Sequence, residues 1–238
     1  MSSHTWTHTE LLSNAATIEA KVWRMVEAQH VVSTNKLVDS HAEQEALEDI
    51  LEKRKPDVPP AAADLSYLLY SPFRYETRSP QGSRFRAPTE PGVFYGAKEI
   101  RTAAAEVGYW RLCFLRDTEG LERLQPCRFT AFSVLTKARA INLQKEPFCI
   151  DRKTWTHPTD YSKTQALART ARAAGVTGIA YESVRDPSKG TCLAILSPEA
   201  FAQKKPDPET HTWTLTASRT EIFWSRQKGE TFLFALHH

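Results

Sequence analysis

Several common signals are missing from this sequence, and each absence narrows the field. Only four cysteines occur in 238 residues, Cys113, Cys127, Cys149 and Cys192, with no CxxC pair. That excludes a disulfide-built scaffold or a zinc ribbon. Without an export signal, free thiols are the expected state. The eight histidines are dispersed with no HExxH spacing, so no metal site is expected. A net charge of +3 is too small for a dedicated nucleic-acid binder. No window approaches ~18 uninterrupted apolar residues, the length of a membrane-spanning helix. The opening MSSHTWTHTE lacks the basic and apolar regions of a signal peptide, so the cytoplasm is the expected location. Internal repeats and low-complexity tracts are also lacking.

What remains is the composition of an ordinary globular protein, 41% hydrophobic and 25% charged. Residues ~9–55 read as helical, because Leu11, Leu12, Ala15, Ile18, Val22 and Val26 recur at three- and four-residue steps. A break falls near residues 30–35, and Ser40 with Glu43 forms a capping box for a second helix carrying Ala46, Leu47, Ile50 and Leu51. The run PDVPPAAA, 56–63, reads as a linker. This divides the chain into a helical N-terminal segment and linker, 1–60, and a main domain, 61–238. In the main domain the pattern predicts strands over 92–97, 129–135, 178–184 and 191–196, with weaker ones at 212–215 and 231–236. It predicts helices over 99–110 and 161–174, the latter with a capping box from Ser162 and Gln165 and a terminal glycine at Gly175. Strands and helices do not alternate regularly, so an α+β domain with small sheets fits better than a doubly wound one.

The most unusual stretch runs from Ser71 to Glu106. Four arginines, Arg74, Arg78, Arg84 and Arg86, fall within thirteen positions; Tyr95 follows on a strand and Glu106 on a helix, at the border of its apolar stripe. A carboxylate there is costly unless it has partners. Further on, Ser183 shares a strand face with Ile179 and Tyr181. These residue types suit a dinucleotide with a labile glycosidic bond. Arginine forks match pyrophosphate geometry, and a tyrosine ring offers a stacking face. A fixed carboxylate stabilises the positive charge that develops on the ribose. On spacing alone, solvated arginines, a core tyrosine and a structural ion pair remain the plainer alternatives.

The runs LLYSPFRY, GSRFR, GVFYGA, TAAAE, GIAYESVRD and GTCLAIL resemble the RES domain family, over roughly Leu65 to Phe201. The resemblance implies a core similar to ADP-ribosyltransferases and a toxin of a toxin–antitoxin module that degrades NAD⁺ by hydrolysis or phosphorolysis. NAD⁺ is then the substrate and inorganic phosphate a candidate co-substrate, with no prosthetic group. An Xre-type antitoxin covering the active site is the implied partner, and a homodimer is left open. By the same resemblance, Glu106, Tyr95 and Arg74 are the catalytic set. Arg74, Arg84, Tyr95, Ser183 and Arg185 bind the dinucleotide, with Arg78 and Arg86 as alternatives to Arg84. The family often has an asparagine after the glycine of the serine motif, where this chain has Thr191 and Cys192. A protein ADP-ribosyltransferase is the rival reading; Ala104, where arginine-directed enzymes of that class carry Glu or Gln, counts against it.

Overall fold

Ile18, Val22 and Val26 lie four residues apart, a spacing that satisfies a helix but is also even, and so satisfies a strand. The computed structural model, which describes residues 5–28, 40–75, 79–226 and 229–235, resolves this ambiguity in favour of the strand. A short helix α1 (His8–Ser13), capped by Thr7 and Glu10, is followed by a twelve-residue strand β1 (Ala16–Glu27). The helix expected across this stretch is therefore corrected. What decides the outcome is a partner: every residue of β1 pairs antiparallel with β3 (Arg123–Asn142), from Ala16↔Ala140 to Glu27↔Phe129. The second expected helix is present as α2 (His41–Lys53), where Ser40 Oγ accepts from the Glu43 amide at 3.2 Å. The break expected near 30–35 lies outside the described residues.

The remaining elements run in order α3 (Tyr67–Arg74), β2 (Phe94–Ala97), α4 (Ile100–Asp117), α5 (Arg152–Trp155), α6 (Ser162–Ala173), β4 (Gly178–Glu182), β5 (Thr191–Ile195), β6 (Thr210–Ser218), β7 (Glu221–Arg226) and β8 (Thr231–Ala235). The α+β class is as expected. Its strands form one eight-stranded mixed sheet rather than several small ones, in the order β1-β2-β5-β4-β3-β6-β7-β8. Because β1 also pairs with β3, the first five strands close into a ring, and β6–β8 extend from it. Among the described residues, only β3 and β4 run parallel.

Two cores lie on the two faces of this sheet. One gathers Val22, Phe94, Phe132, Val134, Leu193 and Ile195 under Leu69 of α3. The other lies beneath α4, which presents Ala103, Ala104, Ala105, Leu112 and Leu115 to Phe129, Trp213 and Trp224. Small side chains let α4 approach the sheet closely; a Cβ at Gly108 would lie 3.1 Å from Ile222 Cδ1. Burying each large apolar side chain contributes about 1.5–3 kcal/mol. The linker reading of 56–63 is sharpened: Pro60–Ala62 forms a 3-10 turn and Ala62 is fully buried.

Candidate active site

One cleft of about 390 Å³ opens where β1, β2, α4 and the turn after β4 converge. Glu106, Tyr95, Arg84 and Arg185 all line it, and Ser183 stands directly behind Glu106. Glu106 projects from α4. Ser183 follows the last residue of β4 and donates its hydroxyl proton to Glu106 Oε1 at 2.6 Å. Ser183 Oγ in turn accepts from the amides of Asp186 at 3.0 Å and Arg185 at 3.2 Å, so the donor and both lone pairs of this hydroxyl are used. Burial pushes the Glu106 carboxyl pKa above the usual carboxylate value, while the Ser183 hydrogen bond and the Arg84 and Arg185 charges pull it back down.

Tyr95 is held by its hydroxyl, which pairs with Ser83 Oγ at 2.8 Å and accepts from the Phe85 amide at 3.0 Å. Burial raises the pKa of this phenol. The loop carrying Arg84 is tied down independently. Gly82 takes a positive φ of 70°, where a Cβ would meet the Arg86 carbonyl oxygen at 2.1 Å. Gln165 Nε2 donates to the carbonyls of Gln81 at 2.8 Å and Ser83 at 3.0 Å. This corrects the capping role expected of Gln165: α6 begins without a side-chain cap, and the amide serves the loop instead. Arg84 is 9% exposed; its Nη1 donates to the carbonyls of Trp155 and His157, and its guanidinium sits 4.8 Å from the Tyr161 ring centre. Arg185 donates to Pro158 O and to the Tyr161 hydroxyl, with its guanidinium 3.4 Å from the centre of the Tyr109 ring.

The structure does not bring Arg74 into this group. Its Phe-Arg pair ends helix α3, which packs Leu69 into the other core, and Arg74 Nε donates to Pro56 O at 2.5 Å. Arg86 is likewise occupied elsewhere, with the carbonyls of Glu90 and Tyr75, both at 2.9 Å. Arg78 lies outside the described residues. Another arginine, Arg24, which sequence reasoning missed, borders the cleft instead. It lines the cleft from β1, donates to Tyr95 O at 3.3 Å, and lies 4.7 Å from the Phe94 ring centre. Burial lowers its pKa to about 10. The available signal was the alternation Val22-Arg24-Val26, a cation set in an apolar strand face, which a helical reading hides. Trp23, Trp110, Tyr161 and Cys192 complete the walls.

Chemically, the cleft combines one half-buried carboxylate with three guanidinium groups, Arg24, Arg84 and Arg185. Among the described residues, none of the three is ion-paired to a carboxylate within salt-bridge distance. Such an arrangement favours an anionic ligand that presents a developing cation to Glu106. No helix among the described residues is long and apolar enough to cross a membrane.

The chain belongs to the RES domain family, whose profile matches residues 58–218. Strand β1, and Arg24 with it, falls outside the matched span. No curated protein matches the sequence. Among solved structures, the M. tuberculosis MbcT–MbcA toxin–antitoxin complex is similar at a TM-score of 0.48 and 11% identity, over 82% of this chain and 85% of that one.

Proposed function

We propose that this cleft cleaves the nicotinamide–ribose bond of NAD⁺, and that the chain acts as the toxin of a toxin–antitoxin pair. The observation that carries the reading is Glu106: a half-buried carboxylate, fixed by Ser183 and flanked by arginines that form no salt bridge among the described residues. The arginines Arg24, Arg84 and Arg185 bind the pyrophosphate, and Tyr95 lies against the nicotinamide or its ribose. The bond between the ribose carbon and the ring nitrogen breaks with its electron pair moving to nitrogen, so nicotinamide leaves neutral. Ionised Glu106 stabilises the positive charge left on the ribose. The oxygen of water or inorganic phosphate then bonds to that carbon, and water's proton, where water attacks, passes to Glu106 or to solvent. We favour phosphate, in line with the family resemblance. A chain that destroys NAD⁺ harms the cell that makes it, so an inhibitory partner over the cleft, an Xre-type antitoxin, belongs to the same reading.

The test is NAD⁺ consumption with and without phosphate, for the wild type and Glu106→Gln. We expect loss of NAD⁺ by the wild type and a drop of at least ~100-fold in the variant, the scale of removing one electrostatic stabiliser. Phosphate dependence assigns phosphorolysis, and its lack assigns hydrolysis. Label from NAD⁺ appearing on a protein band, with little free product, would favour protein ADP-ribosylation instead. Full activity of Glu106→Gln would remove the central claim.

A further inference from the structure

Thr102 lies one helical turn before Glu106 on α4, so the two side chains share a face of the helix. Both are claimed by the turn between β4 and β5. Glu106 receives the Ser183 hydroxyl at 2.6 Å, and Thr102 Oγ1 donates to Asp186 Oδ2 at 2.7 Å. Thr102 is 1% exposed, Ser183 1% and Asp186 3%, so these bonds are sheltered from water. Asp186 also organises the turn itself. Its Oδ1 accepts from the Ser188 amide at 3.0 Å, its carbonyl accepts from Lys189 at 2.8 Å, and its own amide donates to Ser183 Oγ at 3.0 Å. Arg101 Nε stands 3.7 Å from Asp186 Oδ1 while its guanidinium lies 4.8 Å from the Phe234 ring centre, linking the turn to β8. Space is tight: a Cβ at Gly190 would lie 2.0 Å from Thr102 Oγ1.

We infer that Thr102 and Asp186 are positioning residues, which lock the β4–β5 turn to α4 so that Ser183 presents its hydroxyl to Glu106. Neither residue lines the cleft. Ser183 can aim its proton at Glu106 only while its lone pairs receive the Arg185 and Asp186 amides, and those amides are held in place by the Thr102–Asp186 bond. A half-buried carboxylate that loses its only side-chain donor among the described residues is left with an incomplete hydrogen-bond set.

The inference rests on the reading of Glu106 as the reacting carboxylate, so the experiment separates the two. Thr102→Val keeps the shape and removes the donor; Thr102→Ser restores it; Asp186→Asn keeps an acceptor with less charge and serves if Thr102→Val does not fold. Amide hydrogen exchange over 183–190 is measured in each, alongside kcat and KM for NAD⁺. We expect faster exchange in that turn alone for Thr102→Val. Its kcat should fall by roughly 10- to 100-fold, the scale of a small misplacement of a reacting group, with KM within about twofold, and Thr102→Ser should recover both readouts. Unchanged exchange, or faster exchange with unchanged kcat, overturns the lock. A wild type that consumes no NAD⁺ overturns the functional reading instead, while exchange still decides whether Thr102 and Asp186 hold the turn.

Discussion

Arg24 and Arg74 separate two ways in which an arginine can be used. Arg74 gives its Nε to a backbone carbonyl on the protein's own linker, whereas Arg24 borders the cleft and donates to Tyr95 O. Replacing Arg24 by alanine should therefore lower kcat/KM for NAD⁺ by roughly 10- to 100-fold, the value of one to two charge-assisted hydrogen bonds. The Arg74→Ala enzyme should stay within about threefold of wild type. Equal losses from both would place Arg74 back at the substrate. Ser183 makes a second prediction at this scale. In the proposed reaction Glu106 acts in its ionised form, so activity should be lost as pH falls through its raised pKa. The Ser183 hydrogen bond helps hold that pKa down. In Ser183→Ala the acid limb of the rate profile should therefore move to higher pH; an unmoved or lowered limb counts against the assignment.

Among the elements, β1 and α3 were the hardest to read, for opposite reasons. In β1 the apolar positions Ile18, Val22 and Val26 match both periods, and the choice was made by a partner more than a hundred residues away, which no local pattern contains. In α3 Pro72 falls inside an eight-residue helix, so the local pattern predicts no helix over that run. By contrast, α4 and α6, with β2, β4 and β5, were legible because their periodicity and glycine punctuation agree with their burial. The positive φ of 72° at Gly175 is one instance. Glu106, Tyr95, Arg84 and Ser183 were legible as motif residues, and their gathering follows from those elements. Strand β1 is also fastened by Lys21, whose Nζ lies 2.8 Å from Asp207 Oδ2, while Ser133 Oγ donates to the same oxygen at 2.7 Å. Gln203, Lys21 and Ser133 hold the Asp207 pKa down at about 2. A depressed carboxyl pKa contributes stability above its unfolded value, near 3.8, and loses it as pH falls toward about 2. Asp207→Asn should thus lower the unfolding temperature at pH 7, with the gap to wild type closing by about pH 2. A gap that persists there would mean that charge is not the cause.

At the scale of the whole molecule, the span matched by the RES profile is not a complete unit. It begins after β1, yet β1 supplies a wall of the cleft and covers the edge of β3 from Phe129 to Ala140. A chain starting at residue 58 should expose that edge, a template for pairing with other chains. We expect such a fragment to aggregate and to consume no NAD⁺, with light scattering and the same assay as checks. A monomeric, active fragment would show that β1 is dispensable.

The ring of strands also sets a schedule. During synthesis β1 leaves the ribosome early and waits, because β3 has not been made. Glu106 waits as well, since Ser183 and the turn behind it are made 77 residues later. If the cleft acts as proposed, the chain carries no assembled active site for most of its own making. The separation in sequence between the strands that close the ring acts as a delay, and that delay is the interval in which a partner can be ready to meet the finished fold.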